Sequence, residues 1–350
     1  MNELTPQRIR TNRLTQNVWT AGPMDGTPLL LVHGNLSSGG FWRYVVEHLA
    51  ADVRVIAPDL RGFGDTDPLP IDARHGLGDM VDDLHDLLSY LGLAGQRRVN
   101  AVGWSMGAGV LQQLMLEYRD DLASVTLIAP LSPYGYGGTK GTDGEPATAD
   151  HAGAGAGGAN PAFVARLAAH DTSEGDPQTS PRVIMRTYFG GGANHANLDE
   201  DFLTQELVKI RTGDDFYPGN AVASENWPGS ATGDRGVLNT MSPRWYNTAG
   251  IVDLERKPPV LWIHASEDKV VANGSLFDLA TLGQLGAIPG WPGEDVLPPQ
   301  PMVDQTRAVL ERYRANGGEV REVFLEGEDH GIPLAVPGLV AREVTSILVQ

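Results

Sequence analysis

The chain has 350 residues, 41% of them hydrophobic, enough for one large core, elaborated or carrying a lid. A formal net charge of −18 opposes phosphate backbones and anionic lipid heads, so neither nucleic acid nor membrane is an expected partner. There is no cysteine, which excludes disulfides, thiol catalysis and thiolate-bound zinc.

The opening stretch MNELTPQRIRTNRLTQNVW contains no apolar h-region, and no apolar run approaches the roughly 18 residues of a membrane span. A soluble, cytoplasmic protein is the expectation. PLLLVHG (28–34) and VRVIAPDLRG (53–62) read as buried parallel strands, with a helix between them in FWRYVVEHLA. LGDMVDDLHDLLSYLGL (77–93) predicts a second helix, RRVNAVGW a strand, MGAGVLQQLMLEY a helix and LASVTLIAPL another strand. Such alternation implies an α/β fold with a parallel sheet and helices on both faces.

At Pro133 the alternation stops. Residues 134–161, rich in Gly, Ala and Thr, predict a long surface loop or hinge. Helical pieces follow in PAFVARLAAH and DEDFLTQELVKIR, then an irregular stretch bearing Phe216, Tyr217, Trp227, Trp245 and Tyr246. PPVLWIHAS (258–266) resumes the sheet. A proline-rich insertion (288–301), a helix near 302–315, the strand EVREVFLEG and the helix PGLVAREVTSILVQ complete the chain. The expected division is a core of 1–132 plus 258–350 around an inserted lid of 133–257.

In VGWSMGAG a lone serine stands between glycines. By itself G-x-S-x-G would arise by chance about 0.2 times in a chain with this many glycines. Its position between a predicted strand and a predicted helix is more telling. There, Gly103 and Gly107 would remove the Cβ atoms that obstruct a sharp turn, lifting Ser105 to the sheet's carboxyl end at a helix N-terminus.

A serine hydroxyl needs a base to attack. His330, in the loop after the last strand, is the strongest candidate. His33 suits a backbone role, while His48, His85 and His170 lie on predicted helices. His151 and His195 fall in the lid and His264 inside a strand. An orienting carboxylate is offered by Asp268 in IHASEDKVV, with Glu267 beside it expected to point elsewhere. Oxyanion donors are the backbone N–H groups of Met106 and of Asn35, with Leu36 the alternative for the second. Asp59 and Arg61 are expected to fix a turn beneath the site. Leu36, Trp104, Trp227, Trp245 and Tyr246 are candidate substrate-pocket residues.

Together LLLVHGN, APDLRGFGDTD, VGWSMGAG, LWIHASEDKVV and GEDHGIP resemble the α/β-hydrolase superfamily in order and placement, and Ser105, Asp268 and His330 follow its chain order. Ala265 departs from it, standing where a glycine is common. The resemblance implies the α/β-hydrolase fold, a mostly parallel sheet flanked by helices with a largely helical lid after the sixth strand. It also implies a cofactor-free, metal-free serine hydrolase in which Ser105 attacks a carbonyl, His330 shuttles the proton and Asp268 holds the imidazole. The expected substrate is a small molecule, a carboxylic ester or lactone of fairly bulky apolar character. C–C bond hydrolases, amidases, acyltransferases and perhydrolases share the triad, and a slow-turnover ligand receptor on the same fold is a further alternative. Haloalkane dehalogenases and epoxide hydrolases resemble the chain less, because their nucleophile is an aspartate. An apolar lid leaves a homodimer open.

Overall fold

The computed structural model describes residues 3–190 and 192–349. Met1, Asn2, Gly191 and Gln350, which fall in the expected core and lid ranges, lie outside the described residues. One sheet contains eight strands: β1 (Thr5–Arg10), β2 (Thr15–Ala21), β3 (Thr27–Val32), β4 (Val53–Pro58), β5 (Val99–Trp104), β6 (Leu122–Ile128), β7 (Val260–Ala265) and β8 (Val320–Leu325). Their spatial order is β1-β2-β4-β3-β5-β6-β7-β8. β1 and β2 form an antiparallel hairpin that joins β4 antiparallel. From β4 to β8 every pairing is parallel.

β4, β5 and β7 are buried at every position, as expected of parallel strands covered on both faces. The principal flanking helices are α1 (Arg43–Val46), α2 (Gly78–Tyr90) and α3 (Met106–Glu117) before the excursion. α4 (Pro161–Ala168), α5 (Pro181–Phe189), α6 (Glu200–Leu207) and the single turn α7 (Val237–Thr240) lie between β6 and β7. After β7 come α8 (Leu279–Gln284), α9 (Met302–Ala315), α10 (Ile332–Ala335) and α11 (Pro337–Thr345). No described helix is long and apolar enough to cross a membrane.

Among the described residues, the segment between β6 and β7 forms no separate apolar cluster. Phe163, Leu167, Met185, Leu203 and Leu207 belong to the same apolar cluster as the sheet residues. The start of the expected 134–161 loop is corrected, since residues 134–135 and 137–139 are buried. Two glutamines that carry no motif hold it there. Gln300 donates to the Gly135 carbonyl at 3.0 Å and accepts from the Gly137 amide at 2.5 Å. Gln305 donates to Thr139 Oγ1 and to the Gly141 carbonyl, and accepts from Ser132 Oγ. Buried backbone needs such partners wherever no sheet or helix supplies them.

Other differences are local. The helix expected at 41–50 shrinks to α1 behind a 3₁₀ turn, Gly39–Trp42, capped by Ser38, with Phe41 and Trp42 buried in the core. The last helix stops at Thr345. α5 begins on a Ser180 cap followed by Pro181, a start signal in a stretch that the sequence analysis leaves unassigned.

Asp59 and Arg61 brace the turn below the sheet's carboxyl edge. Asp59 accepts from Asn17 Nδ2, Trp19 Nε1 and the amides of Gly39 and Asp65. Arg61 makes a two-pronged pair with Asp83 of α2, 2.8 Å on each side, and both side chains are buried. Asp83 also pairs with Arg13, and of its described carboxylate partners Arg61 keeps only Asp79, at 3.4 Å, once Asp83 is gone, so loss of the Asp83 carboxylate weakens two ion pairs at a buried site. Asp83→Ala should therefore cost about 3 kcal/mol, read as a lower urea midpoint with an unchanged m-value; a loss under about 1 kcal/mol would show the pair to be weakly coupled to the fold.

Candidate active site

Ser105 follows β5 and caps α3 with φ 57° and ψ −119°, a region costly for a residue with a side chain. Its backbone is fixed on all sides: its amide donates to the Ile128 carbonyl at 2.9 Å, and its carbonyl accepts from Ala108, Gly109 and Leu131. The flanking glycines are required by proximity. A Cβ on Gly103 would lie 2.5 Å from the Gly107 carbonyl oxygen, and one on Gly107 would lie 2.3 Å from that of Val32. Gly34 is closer still to the serine, since a Cβ there would sit 3.1 Å from Ser105 Cβ.

Asp268 and His330 leave the ends of β7 and β8. In the sheet β5 and β8 are three strand spacings apart, roughly 14 Å, so the later loops must lean back over the sheet to reach the serine. They do so zipped together: Ser266 N bonds to Leu325 O, Glu267 N to Glu328 O, and Gly327 N to Ser266 Oγ. Asp268 is buried, with Oδ1 accepting from the Val270 and Val271 amides at 2.7 and 2.8 Å. Its Oδ2 lies 2.8 Å from His330 Nδ1. Glu267 is exposed and pairs with Lys269.

Trp104 supplies a link that sequence reasoning treats only as pocket lining. Its indole N–H donates to the His330 carbonyl at 2.9 Å, tying the imidazole's backbone to the residue before the serine. The rings of Trp104 and Phe189 stand 5.7 and 5.8 Å from the imidazole.

Facing the serine, the loop after β3 is organised by His33. Burial pushes this imidazole down to about 4. Neutral, it bonds Gly34 O through Nδ1 and accepts the Leu60 amide through Nε2. The Leu36 amide is taken by Asn35 Oδ1 at 3.0 Å, whereas no described group accepts from the Asn35 or Met106 amides. Ser38, two residues on from Leu36, donates to the buried Glu206 of α6 at 2.6 Å.

Ser105, His330, Asn35, Leu36, Trp104 and Met106 open into one cavity of about 660 Å³. Three candidate pocket residues do not reach it, because each spends its polar tip on a clamp elsewhere. Trp227 donates to the Pro289 carbonyl, Trp245 to that of Gly233, and buried Tyr246 to that of Gly109 in α3. The apolar walls come instead from Phe163, Ile184, Tyr188 and Tyr217 of the excursion, and from Leu276 and Phe277 after β7. Tyr188 and Phe277 meet edge to face at 4.7 Å, so the two segments touch across the cavity. The apolar face of α5 was a readable signal; the 270–288 wall was not. Other histidines lie elsewhere: His85 pairs with Asp121, His195 with Glu200, His264 with Glu322, and His170 bonds Val208 O.

A sequence profile of the alpha/beta hydrolase fold matches residues 27–296. Over 120 residues the chain is 36% identical to the soluble epoxide hydrolase of Corynebacterium sp. (strain C12), covering 34% of this chain and 39% of that protein. Over 108 residues it is 34% identical to the cis-3-alkyl-4-alkyloxetan-2-one decarboxylase of Xanthomonas campestris pv. campestris, covering 29% and 36%. The chain thus spans well under half the length of these relatives. In fold it resembles, end to end, the esterase RhEst1 from Rhodococcus sp. ECU1013, with TM-score 0.58 and 16% identity over 99% of this chain and 98% of that one.

The unfolded His33 ring, at 6.5, takes a proton before the buried one does, so its neutral form stabilises the fold fully above about pH 6.5 and loses that contribution between about 6.5 and 4. About 2 kcal/mol should be gone by pH 5. Urea midpoints at pH 7 and pH 5 should converge in His33→Gln relative to the wild type; parallel pH slopes would exclude His33 as the source.

Proposed function

The chain belongs to the alpha/beta hydrolase fold family, and we propose that within it this protein is a serine hydrolase that cleaves a carboxylic ester or lactone through an acyl-enzyme. The observation that carries this reading is a strained, glycine-flanked serine sharing one cavity with an imidazole whose far nitrogen is held by a buried carboxylate. An aspartate nucleophile, as in epoxide hydrolases, has no counterpart at the elbow, where Ser105 stands.

In the proposed reaction His330 Nε2 takes the Ser105 proton as Oγ attacks the carbonyl carbon. The tetrahedral oxyanion receives the amides of Asn35 and Met106, helped by the α3 N-terminus. Collapse expels the alcohol, which takes its proton from the imidazolium. Water, deprotonated by the same imidazole, then attacks the acyl carbon and releases the acid and Ser105. Asp268, oriented by two amides of its own, fixes the Nδ1–H tautomer and stabilises the imidazolium. The Ser105 hydroxyl makes no hydrogen bond to a described group, in keeping with catalytic contacts that tighten only when substrate binds.

The apolar walls favour a fairly bulky apolar substrate held away from water by residues 133–257 acting as a lid. The name of the Xanthomonas relative points in the same direction, an oxetan-2-one being a lactone ring, here bearing two alkyl chains. A fluorophosphonate should label Ser105 stoichiometrically. Ser105→Ala and His330→Ala should fold normally and lose roughly 10⁴–10⁶ in kcat on 4-nitrophenyl esters. Retention of more than about a tenth of the activity by Ser105→Ala would refute the nucleophile assignment.

A further inference from the structure

The cavity combines a large size with a complete lack of ionic lining. Among its described residues there is no Asp, Glu, Lys or Arg, in a chain where charged residues make up 20%. Cations on the nearest wall are turned away. α5 gives Ile184, Thr187 and Tyr188 to the cavity, while its Arg182 pairs with Glu200 and Asp201, and Arg186 with Glu200 and Glu174. The charges that reach the Tyr136 hydroxyl are negative. Tyr136 lines the cavity, and its hydroxyl is held above its ordinary pKa by burial first and then by the Asp278 and Asp268 carboxylates.

Three of the polar side chains inside are committed, and the others, Gln178, Thr187 and Tyr188 among them, are uncharged. Asn160 caps α4 and bonds Gln178 O, the Tyr136 hydroxyl is bound by Val270 O and Ser275 Oγ, and Asn35 holds the Leu36 amide. The Tyr217 hydroxyl has no described partner, but it is a neutral group. An ionised substituent entering this room would lose its hydration and meet no counter-charge, only two buried carboxylates behind the wall.

Resting on the serine-hydrolase reading, we propose that the cavity selects by charge: it accepts esters or lactones with no ionised group and rejects matched substrates bearing a carboxylate, phosphate or sulfate.

Three 4-nitrophenyl esters of adipic acid test this, with the distal end a methyl ester, a primary amide or a free carboxylate. At pH 7.5 the two neutral esters should agree in kcat/KM within about tenfold, with the carboxylate at least ~100-fold lower. A carboxylate ester turned over within about tenfold of the methyl ester overturns the proposal while leaving the serine chemistry intact. Binding gives a readout independent of catalysis. By calorimetry on the wild-type protein, the uncharged N-butyl adipamide should bind at least ~30-fold more tightly than N-butyl adipamate. Equal affinities, or no binding of the uncharged amide, reject charge selection. Charge-selective binding without any ester turnover would count against the Ser105 chemistry alone.

Discussion

Ser105 holds a backbone conformation that costs roughly 1–3 kcal/mol, and it keeps it because three stretches of main chain meet around it with no side chains between them. β5 and α3 touch through Gly103 and Gly107, and the end of β3 presses on the same turn from Gly107 to Gly34. A Cβ at any of the three positions would need a carbonyl or the serine itself to move. The packing therefore dictates more than a bend. It leaves the Asn35 and Met106 amides free of described backbone acceptors, in residues that line the same cavity as Ser105. Tight packing here and unsatisfied donors nearby are two consequences of the same constraint.

The Asp268–His330 pair is assembled by a different device. Loops leaving β7 and β8 could splay after the sheet ends, yet backbone bonds between 266–267 and 325–328 continue the pairing upward. The Trp104 indole then ties the imidazole's own carbonyl to the strand that carries the serine. Asp268 has both oxygens engaged, by two amides and a ring nitrogen, which is what lets a carboxylate remain buried there. The imidazole inherits its orientation from that charge and its position from the indole.

Much of this was legible in the sequence because local patterns and the global fold agree. Apolar β-branched runs alternating with amphipathic segments became β3 to β8 and their helices, and the residues 103–107, 268 and 330 fell at strand ends, where an open parallel sheet gathers its site. What stayed hidden depends on contacts made at long range. The β1–β2 hairpin is polar and mostly exposed along β1, so it carries no buried-strand pattern. The 134–139 stretch reads as loop because its glycines signal turns, and nothing local reveals that Gln300 and Gln305 satisfy backbone there. Trp227, Trp245 and Tyr246 mislead for a related reason. Composition marks them as large and apolar, whereas their N–H and O–H groups decide where they sit.

Charge is where the surface and interior of this protein diverge. The net −18 resides outside the cavity, and on α5 it is balanced locally by arginines that would otherwise be available to a ligand. Inside, a low-polarity wall built from two separate chain segments surrounds the serine. Electrostatic interactions strengthen as water is excluded, so in the proposed reaction the Asn35 and Met106 amide dipoles would act at greater strength there than at an open surface. The same exclusion penalises any charge that is not met by those dipoles. In the proposed reaction, the same low-polarity walls that strengthen amide dipoles beside the serine would oppose an ion placed elsewhere in the cavity.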